Sequence, residues 1–411
     1  MSQNTPKNSI LVIGGGVAGI SAALDMAAGG RSVELVDRAE YLGGQVLKLD
    51  KIYPSDHCAF CPLWTEIKRV WDHSNITIRR ASTVKEIVRE GEKYRVFVTT
   101  IPLLIDDDLC VLCGRCVSKC PVGAIRPFGQ HVYPPSYFVD TKTCTMCGVC
   151  VEICPAGAID LHRLAVETVL TVDDVIWATG FTETDVSVPP EFGFGEHPDI
   201  MTSLEFEEWT AESGVNEGRI VRKSNGLVPD TIAFIQCVGA RDRRMLSYCS
   251  AVCCMHALKQ AQWVKRRMPA IDCSIFYTDL RTVGRDYYEY SLRDFDGSGV
   301  RLIRGRPGLV HPLPSGDAIA VKYENTETQT REIARFDMIV LNGNLRASLV
   351  SAMNSGGSIP MLDDDGFVTA RERKELQHAC GFSREPSDIT EAVIQASSAV
   401  MKALTTISDR S

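Results

Sequence analysis

The sequence lacks any apolar run of membrane-spanning length, so no direct membrane insertion is expected. If the protein works at a membrane, a partner must take it there. It also lacks an excess of basic charge: 44 Lys and Arg against 52 Asp and Glu leave a net −8. No basic footprint therefore points to nucleic acid. Local runs such as Arg241, Arg243 and Arg244, or Lys265, Arg266 and Arg267, read as solvated faces. No signal peptide is expected, because residues 1–8 are polar and run straight into an apolar strand. The expected location is cytoplasmic, where a partner protein could hold the chain at the inner face of a membrane. Finally, the sequence holds one G-x-G-x-x-G and no second glycine-rich loop placed between a strand and a helix.

Cysteine is abundant instead. Sixteen occur in 411 residues, and twelve sit in clusters with ligand-like spacing. Such clusters, where no leader is expected, read as reduced thiolates, not disulfides. Cys110, Cys113, Cys116 and Cys120 precede Pro121; Cys144, Cys147, Cys150 and Cys154 precede Pro155. Each half reads C-x2-C-x2-C-x3-C-P, the spacing of a bacterial-type ferredoxin with two [4Fe–4S] clusters. The first three thiolates of a run bind one cube, and the fourth crosses to the other. That assigns Cys110, Cys113, Cys116 and Cys154 to one cluster, and Cys144, Cys147, Cys150 and Cys120 to the second. Zinc ribbons use two separate C-x2-C knuckles, which this pattern is not. Gly114 and Gly148 are expected to let backbone N–H groups approach sulfur.

Upstream, residues 9–13 form a short apolar strand, Gly14 to Gly19 match G-x-G-x-x-G, residues 20–28 read as a helix, and 32–36 as a strand ending at Asp37. This is a complete βαβ unit for dinucleotide binding: Gly14 for the turn, Gly16 for the pyrophosphate, Gly19 for helix–strand packing, Asp37 for the ribose. The helix N-terminus would face the phosphates. Gly43-Gly44-Gln45 follows, and the apolar stretch 173–177 ends in Ala178-Thr179-Gly180. With these marks the chain resembles the glutathione reductase/thioredoxin reductase superfamily. The resemblance implies an α/β, two-dinucleotide-binding-domain flavoprotein and one FAD. It implies FAD contacts at Gly14, Gly16, Ala18, Gly19, Asp37, Arg38, Gly44, Gln45, Val84, Ala178, Thr179, Gly180, Gly381, Asp388 and Ile389. Near the end, Pro386, Ser387 and Asp388 introduce a helix over 390–404 whose dipole would face the flavin.

The ferredoxin unit interrupts this flavin domain. The expected division is 1–100 and 162–204 for the first and second parts of the FAD domain, 101–161 for the inserted ferredoxin, 205–335 for an NAD-domain-like region and 336–411 for the C-terminal part of the FAD domain. In a pyridine-nucleotide reductase a glycine loop should follow the apolar strand 231–236. Cys237-Val238-Gly239-Ala240 stands there instead. A helix over 248–268 would carry Cys249 and Cys253 one turn apart, with Cys254 adjoining. Together with Cys237 these thiols are expected to hold a third [4Fe–4S] cluster; buried structural thiols are the competing reading. Cys58 and Cys61 stay open between a redox pair, partial ligands of a further cluster and structural thiols.

Together these motifs resemble the A subunit of heterodisulfide reductase: the glycine loop, residues 42–61, the inserted ferredoxin, the Cys-Ser-Ala-Val-Cys-Cys run and residues 385–399. A compact branch of that family, in quinone-interacting membrane-bound oxidoreductase (Qmo) complexes, is similar in lacking an N-terminal domain and a second ferredoxin module. That resemblance implies an electron-transfer subunit, with no catalytic side chain of its own, linking membrane quinone to adenylylsulfate reductase in dissimilatory sulfate reduction. It implies two partners, a membrane cytochrome b-type protein and a second flavo-iron–sulfur subunit. The competing functions are a soluble heterodisulfide reductase A-type subunit with a thiol/disulfide partner, a stand-alone NAD(P)H-dependent flavin reductase, and a scaffold whose clusters only hold the fold.

Overall fold

The computed structural model describes residues 9–128, 132–295, 299–348, 360–369 and 378–410. Two domains share one plan. In the first, five parallel strands run in the order His378–Ala379, Asp174–Trp177, Ser9–Ile13, Ser32–Val36, Ile76–Arg79. A three-stranded antiparallel meander (Ser82–Glu90, Lys93–Thr100, Val166–Val172) packs beside them. In the second, the parallel order is Ile200–Thr202, Met338–Gly343, Thr231–Val238, Asp272–Tyr277, Val300–Arg304. Its own meander is Pro307–Pro312, Ile319–Asn325 and Thr330–Phe336.

The parallel strands read as continuous apolar runs because helices and meanders cover both their faces. Ile232 to Ile235 and Met338 to Leu341 are fully buried, for example. The helices Val17–Ala28 and Ile389–Arg410 lie together over the first sheet, where Ala22, Ala23, Ala396 and Ala403 are buried and keep the pairing tight.

The ferredoxin unit is the loop of a meander hairpin. Thr100 pairs directly with Val166, and everything between leaves the sheet. The expected boundary at 161 therefore moves to the hairpin stem. The insert is pinned to the flavin domain by the Arg80–Asp107 ion pair at 2.7 Å, by Tyr133 between Trp64 and Trp71, and by Phe128 against Tyr41.

Three further expectations are corrected. The sequence pattern places residues 336–341 back in the flavin domain, but Met338–Gly343 pairs in the second sheet with Thr231–Val238 and Ile200–Thr202. The second domain thus begins by Ile200 and holds its sheet to Gly343. A strand buried on both faces looks alike in either sheet, so composition could not assign it. The helix expected over 248–268 spans only Cys253–Arg267. Ala251, at φ 63°, adopts the left-handed conformation just before it, which a helix cannot absorb. Cys249 therefore lies on a loop, not one helical turn below Cys253. At the C-terminus the helix is Ile389–Arg410, longer than the expected 390–404.

Candidate functional site

Strand Ser9–Ile13 ends at Gly14, whose φ of 110° turns the chain into helix Val17–Ala28. A Cβ at Gly14 would stand 2.2 Å from the Ala178 carbonyl oxygen, and one at Gly19 would stand 1.7 Å from that of Gly14. Both positions are therefore closed to any side chain. Gly16 differs: a Cβ there meets only Gly44 Cα, at 3.8 Å. Asp37 accepts hydrogen bonds from the N–H of Gly15 and, at 2.7 Å, of Ala39, so its carboxylate also holds the loop in shape.

An elongated channel runs from this loop in three compartments. The outer one is lined by Gly14, Asp37, Arg38, Val84, Thr179 and Ser348. The middle one is lined by Gly16, Ala18, Asp37, Arg38, Gly44, Gln45, Ala178, Thr179, Gly180, Gly381, Asp388 and Ile389. The inner one lies between the domains, with Gln45, Tyr53, Phe181, Glu183, Cys253, His256, Lys259, Tyr287, Asp388 and Ile389 on its walls. Every flavin contact expected from the sequence lines the channel except Gly19, which packs behind it. Among the described residues, four buried polar atoms on these walls have no hydrogen-bond partner: Ser348 Oγ, Ser387 Oγ, Gln45 Oε1 and Glu183 Oε1. Buried polar groups are normally satisfied. Orphans spread along all three compartments fit an elongated polar ligand such as FAD, with adenosine outermost and the flavin ring innermost. Asp388 caps the C-terminal helix, accepting from the Glu391 N–H at 2.8 Å, and also receives the Tyr287 hydroxyl from the second domain.

Beside the inner compartment lies a buried network that the sequence pattern does not reveal. Lys259 Nζ sits 2.5 Å from Glu207 Oε1 and donates to the Lys51 carbonyl at 2.8 Å. His256 stands 3.2 Å from Glu207 Oε2, and Gln260 donates to the same oxygen. Burial alone would raise the Glu207 pKa, but the Lys259 charge and His256 outweigh it and hold the carboxyl well below its usual range. Lys259 shares a helix stripe with Met255 and Trp263, the one sequence signal that it faces inward.

In the insert, Gly114 and Gly148 start short helices at φ 70° and 77°. They serve there by their left-handed backbone; at Gly148 nothing lies within 4 Å of a Cβ. The two halves repeat the same contact: the Ala124 N–H donates to Cys120 Sγ at 3.2 Å and the Ala158 N–H to Cys154 Sγ at 3.3 Å. Cys120, Cys144, Cys147 and Cys150 line one small cavity, so the fourth thiol of the first run does meet the first three of the second. Cys116 and Cys150 are buried, whereas Cys113 and Cys147 are exposed. Among the described residues no three Cys, His, Asp or Glu side chains converge tightly enough to grip a single ion. A cube's thiolates stand on its outer corners, further apart than the ligands of one metal.

Cys237 ends strand Thr231–Val238 at φ 60°, facing the start of helix Cys253–Arg267. Burial, then the neighbouring Cys254 and Cys249, push its thiol up to about 11. Cys254 is held down to about 7, first by its hydrogen bond with Cys253 and then, against burial, by the backbone N–H and charge of Arg281 and the charge of Arg241. Cys237, Cys249, Cys253 and Cys254 thus lie near enough to shift one another's ionisation, and the charges of Arg241, Arg281 and Arg306 act on them too. Cys253 also lines the inner flavin compartment.

Cys58 and Cys61 lie at the start of helix Phe60–Asp72 and line none of the channel's three compartments. Partial burial pushes Cys58 up, but hydrogen bonds from the Cys61 side chain and N–H, the latter at 3.4 Å, bring it below the usual thiol range.

Family models match residues 9–48 as an FAD dependent oxidoreductase and residues 109–158 as a 4Fe-4S dicluster domain. The chain is 35% identical over 420 residues to an iron–sulfur A subunit of CoB–CoM heterodisulfide reductase from Methanopyrus kandleri, covering 97% of this chain and 64% of that one. It is 33% identical over 416 residues to the A subunit of the H(2):CoB–CoM heterodisulfide,ferredoxin reductase of Methanothermobacter thermautotrophicus, covering 96% and 63%. For the A subunit of the ferredoxin:CoB–CoM heterodisulfide reductase of Methanosarcina mazei the figures are 34% over 349 residues, 81% and 44%. The chain thus spans less than two thirds of the length of these curated relatives. In fold it is similar to thioredoxin reductases of Lactococcus lactis (TM-score 0.56, 15% identity, 98% of this chain and 100% of that one) and T. acidophilum (0.54, 13%, 97% and 99%).

Proposed function

This chain is like the A subunit of heterodisulfide reductase along essentially its whole length, and from that premise we propose that it is an FAD- and iron–sulfur-containing electron-transfer subunit of a multisubunit oxidoreductase. The finer reading places it between a membrane quinone module and a soluble reductase, adenylylsulfate reductase, in dissimilatory sulfate reduction. Its partners there are a membrane cytochrome b-type protein and a second flavo-iron–sulfur subunit. Among the described residues no helix is long and apolar enough to cross a membrane, so such contact is assigned to partners.

One observation carries the electron-transfer reading. Four thiols cluster where the second domain of a pyridine-nucleotide enzyme would hold a phosphate-binding glycine loop, and one of them, Cys253, lines the inner flavin compartment. Bound FAD would exchange electrons in pairs or singly, while [4Fe–4S] clusters exchange them singly. The chain's own residues do the rest. Gly14, Gly16 and Gly44 shape the diphosphate channel, the ferredoxin thiols hold two cubes, and Cys237, Cys249, Cys253 and Cys254 hold a third. Arg241, Arg281 and Arg306 offset the negative charge that four thiolates bring into a buried place.

The test uses the intact chain purified anaerobically. It should contain one FAD, released on denaturation, and the flavin should stay oxidised when NADH or NADPH is added. Rapid stoichiometric bleaching by either nucleotide would overturn the reading. Isolation from native membranes should bring the cytochrome b-type and second flavo-iron–sulfur partners with it; a chain that always purifies alone would overturn the quinone-linked form.

A further inference from the structure

We propose that Glu183 is the proton reservoir of the flavin cavity: its carboxyl holds, at Oε1, the proton that crosses to or from the flavin when an electron pair enters or leaves. This rests on the assignment of FAD to the channel.

Glu183 closes the short strand Phe181–Glu183, which follows directly on Ala178-Thr179-Gly180 and pairs with Leu345–Ala347. Its side chain lines the inner compartment. Oε2 accepts a hydrogen bond from the Thr202 hydroxyl at 3.1 Å, across the domain boundary. Oε1 is buried and has no partner among the described residues. Leaving a buried carboxylate oxygen bare is costly; protonating it, or supplying a donor from a ligand, removes that cost.

Lys51, Tyr53 and Cys253 share these walls, and four other titratable groups on them are already engaged. Lys259 and His256 are bound to Glu207, and Lys259 also to the Lys51 carbonyl. Asp388 caps the C-terminal helix and accepts the Tyr287 hydroxyl. The charges acting on Glu183 from beyond the inner compartment are two acids, Glu205 and Glu208, against one base, Lys48, which lines the middle compartment. Burial first, then those acids, push its carboxyl up to about 7, against the Thr202 hydroxyl and Lys48. Both protonation states are then populated near neutrality, the condition under which a carboxyl moves protons in either direction. Lys48 and Glu208 form an exposed pair at 3.9 Å, so the carboxyl lies close to a charged, wet surface from which it can be reprotonated.

The balance is simple. Two electrons arrive singly through the clusters and one proton leaves Glu183 Oε1 for the flavin ring, which gains an N–H as the carboxyl becomes a carboxylate. Oxidation runs the same exchange backwards.

Glu183→Gln in the full-length, FAD-loaded protein tests this. The reduced-minus-oxidised infrared difference spectrum of the parent near neutral pH should carry a protonated-carboxyl C=O band that shifts in D2O. Glu183→Gln should lose that band while keeping its FAD and iron. Thr202→Val, which removes the donor to Oε2 together with the cap that Thr202 Oγ1 gives the Glu205 N–H, should keep the band and move its position. A band that persists unchanged in flavin-loaded Glu183→Gln, or no carboxyl band in the flavin-loaded parent, overturns the proposal. Protein that binds no FAD overturns the underlying assignment instead, and the FAD content reads that separately.

Discussion

Gly16 and Gly44 close on each other across the channel: a Cβ built on Gly44 would stand 2.9 Å from the Gly16 Cα. The two loops that carry them run side by side, joined by a bridge between Gly16 and Gly43 and by the Gly43 N–H donating to the Gly15 carbonyl at 2.7 Å. Each glycine has a different reason to be glycine. Gly44 has φ 60° and no room, so any side chain is strained there. Gly16 has an ordinary φ and open space, so its lack of a side chain serves the ligand and not the fold.

Gly16→Trp should therefore fold and yield flavin-free protein, with the ferredoxin signals intact in the electron paramagnetic resonance spectrum. Gly19→Ala should fail differently, because its methyl would collide with the Gly14 carbonyl whether or not flavin is present. Flavin absorbance, iron content and soluble yield separate the two. Full flavin content in Gly16→Trp would contradict the channel assignment.

The insert should be removable. Thr100 and Val166 are paired across the hairpin, so an Asn-Gly turn joining them restores an ordinary two-residue β-hairpin. The shortened chain should keep FAD and lose about eight iron, the content of two cubes. Its stability should fall, because Tyr41, Trp64 and Trp71 lose their partners Phe128 and Tyr133. Loss of flavin on excision would show instead that the insert helps build the channel.

Lys259→Met leaves the Glu207 carboxylate buried with its strongest counter-charge gone, and breaking such a pair costs about 3–5 kcal/mol. The pH dependence follows from the folded-state pKa of Glu207, which is held below its ordinary value. A depressed carboxylate stabilises the fold fully above its unfolded pKa, and that contribution disappears as pH falls toward the folded pKa. Denaturant midpoints should therefore drop on acidification below the ordinary carboxylate range. Glu207→Gln should be less stable at neutral pH and show a flatter acid limb; an acid limb identical to the parent's would remove this pair as its source.

The ferredoxin motif is legible because its spacing is ligand chemistry: where the cysteines sit in sequence dictates where they sit around a cube. The glycine loop is legible for a similar reason, since Gly14 and Gly19 are sterically forced. The strand Met338–Gly343 is misplaced from sequence because both parallel sheets bury both faces and give the same apolar run. The start of helix Cys253–Arg267 is misplaced because nothing in Cys-Ser-Ala-Val-Cys marks Ala251 for a left-handed backbone. Glu183 with Thr202, and Glu207 with Lys259, are invisible because each pair forms only when two distant segments pack. Periodicity reports a buried face; it does not report which polar residue finds a partner there.

The third cluster gives the sharpest prediction. A cubane needs four thiolates within a few ångströms of one another. Here the strand end supplies Cys237, the loop before the helix supplies Cys249, and the first turn of the helix supplies Cys253 and Cys254. The loop geometry differs from the expected continuous helix. Ala251, turned left-handed, donates its N–H to Cys249 Sγ at 3.4 Å. The hydrogen bond with Cys253 first, then Arg281 and Arg241, hold Cys254 toward its thiolate form, the form that binds iron. Anaerobically purified protein should then hold about twelve iron, four for each cube. Replacing Cys253 and Cys254 with Ser should lower iron by about a third, leave the ferredoxin resonances, and slow flavin reduction through this face. Core thiols without iron would behave otherwise: the parent would hold about eight iron, and the double replacement would change stability but not metal content. Iron analysis of the two proteins side by side decides between them, because each alternative fixes both numbers in advance.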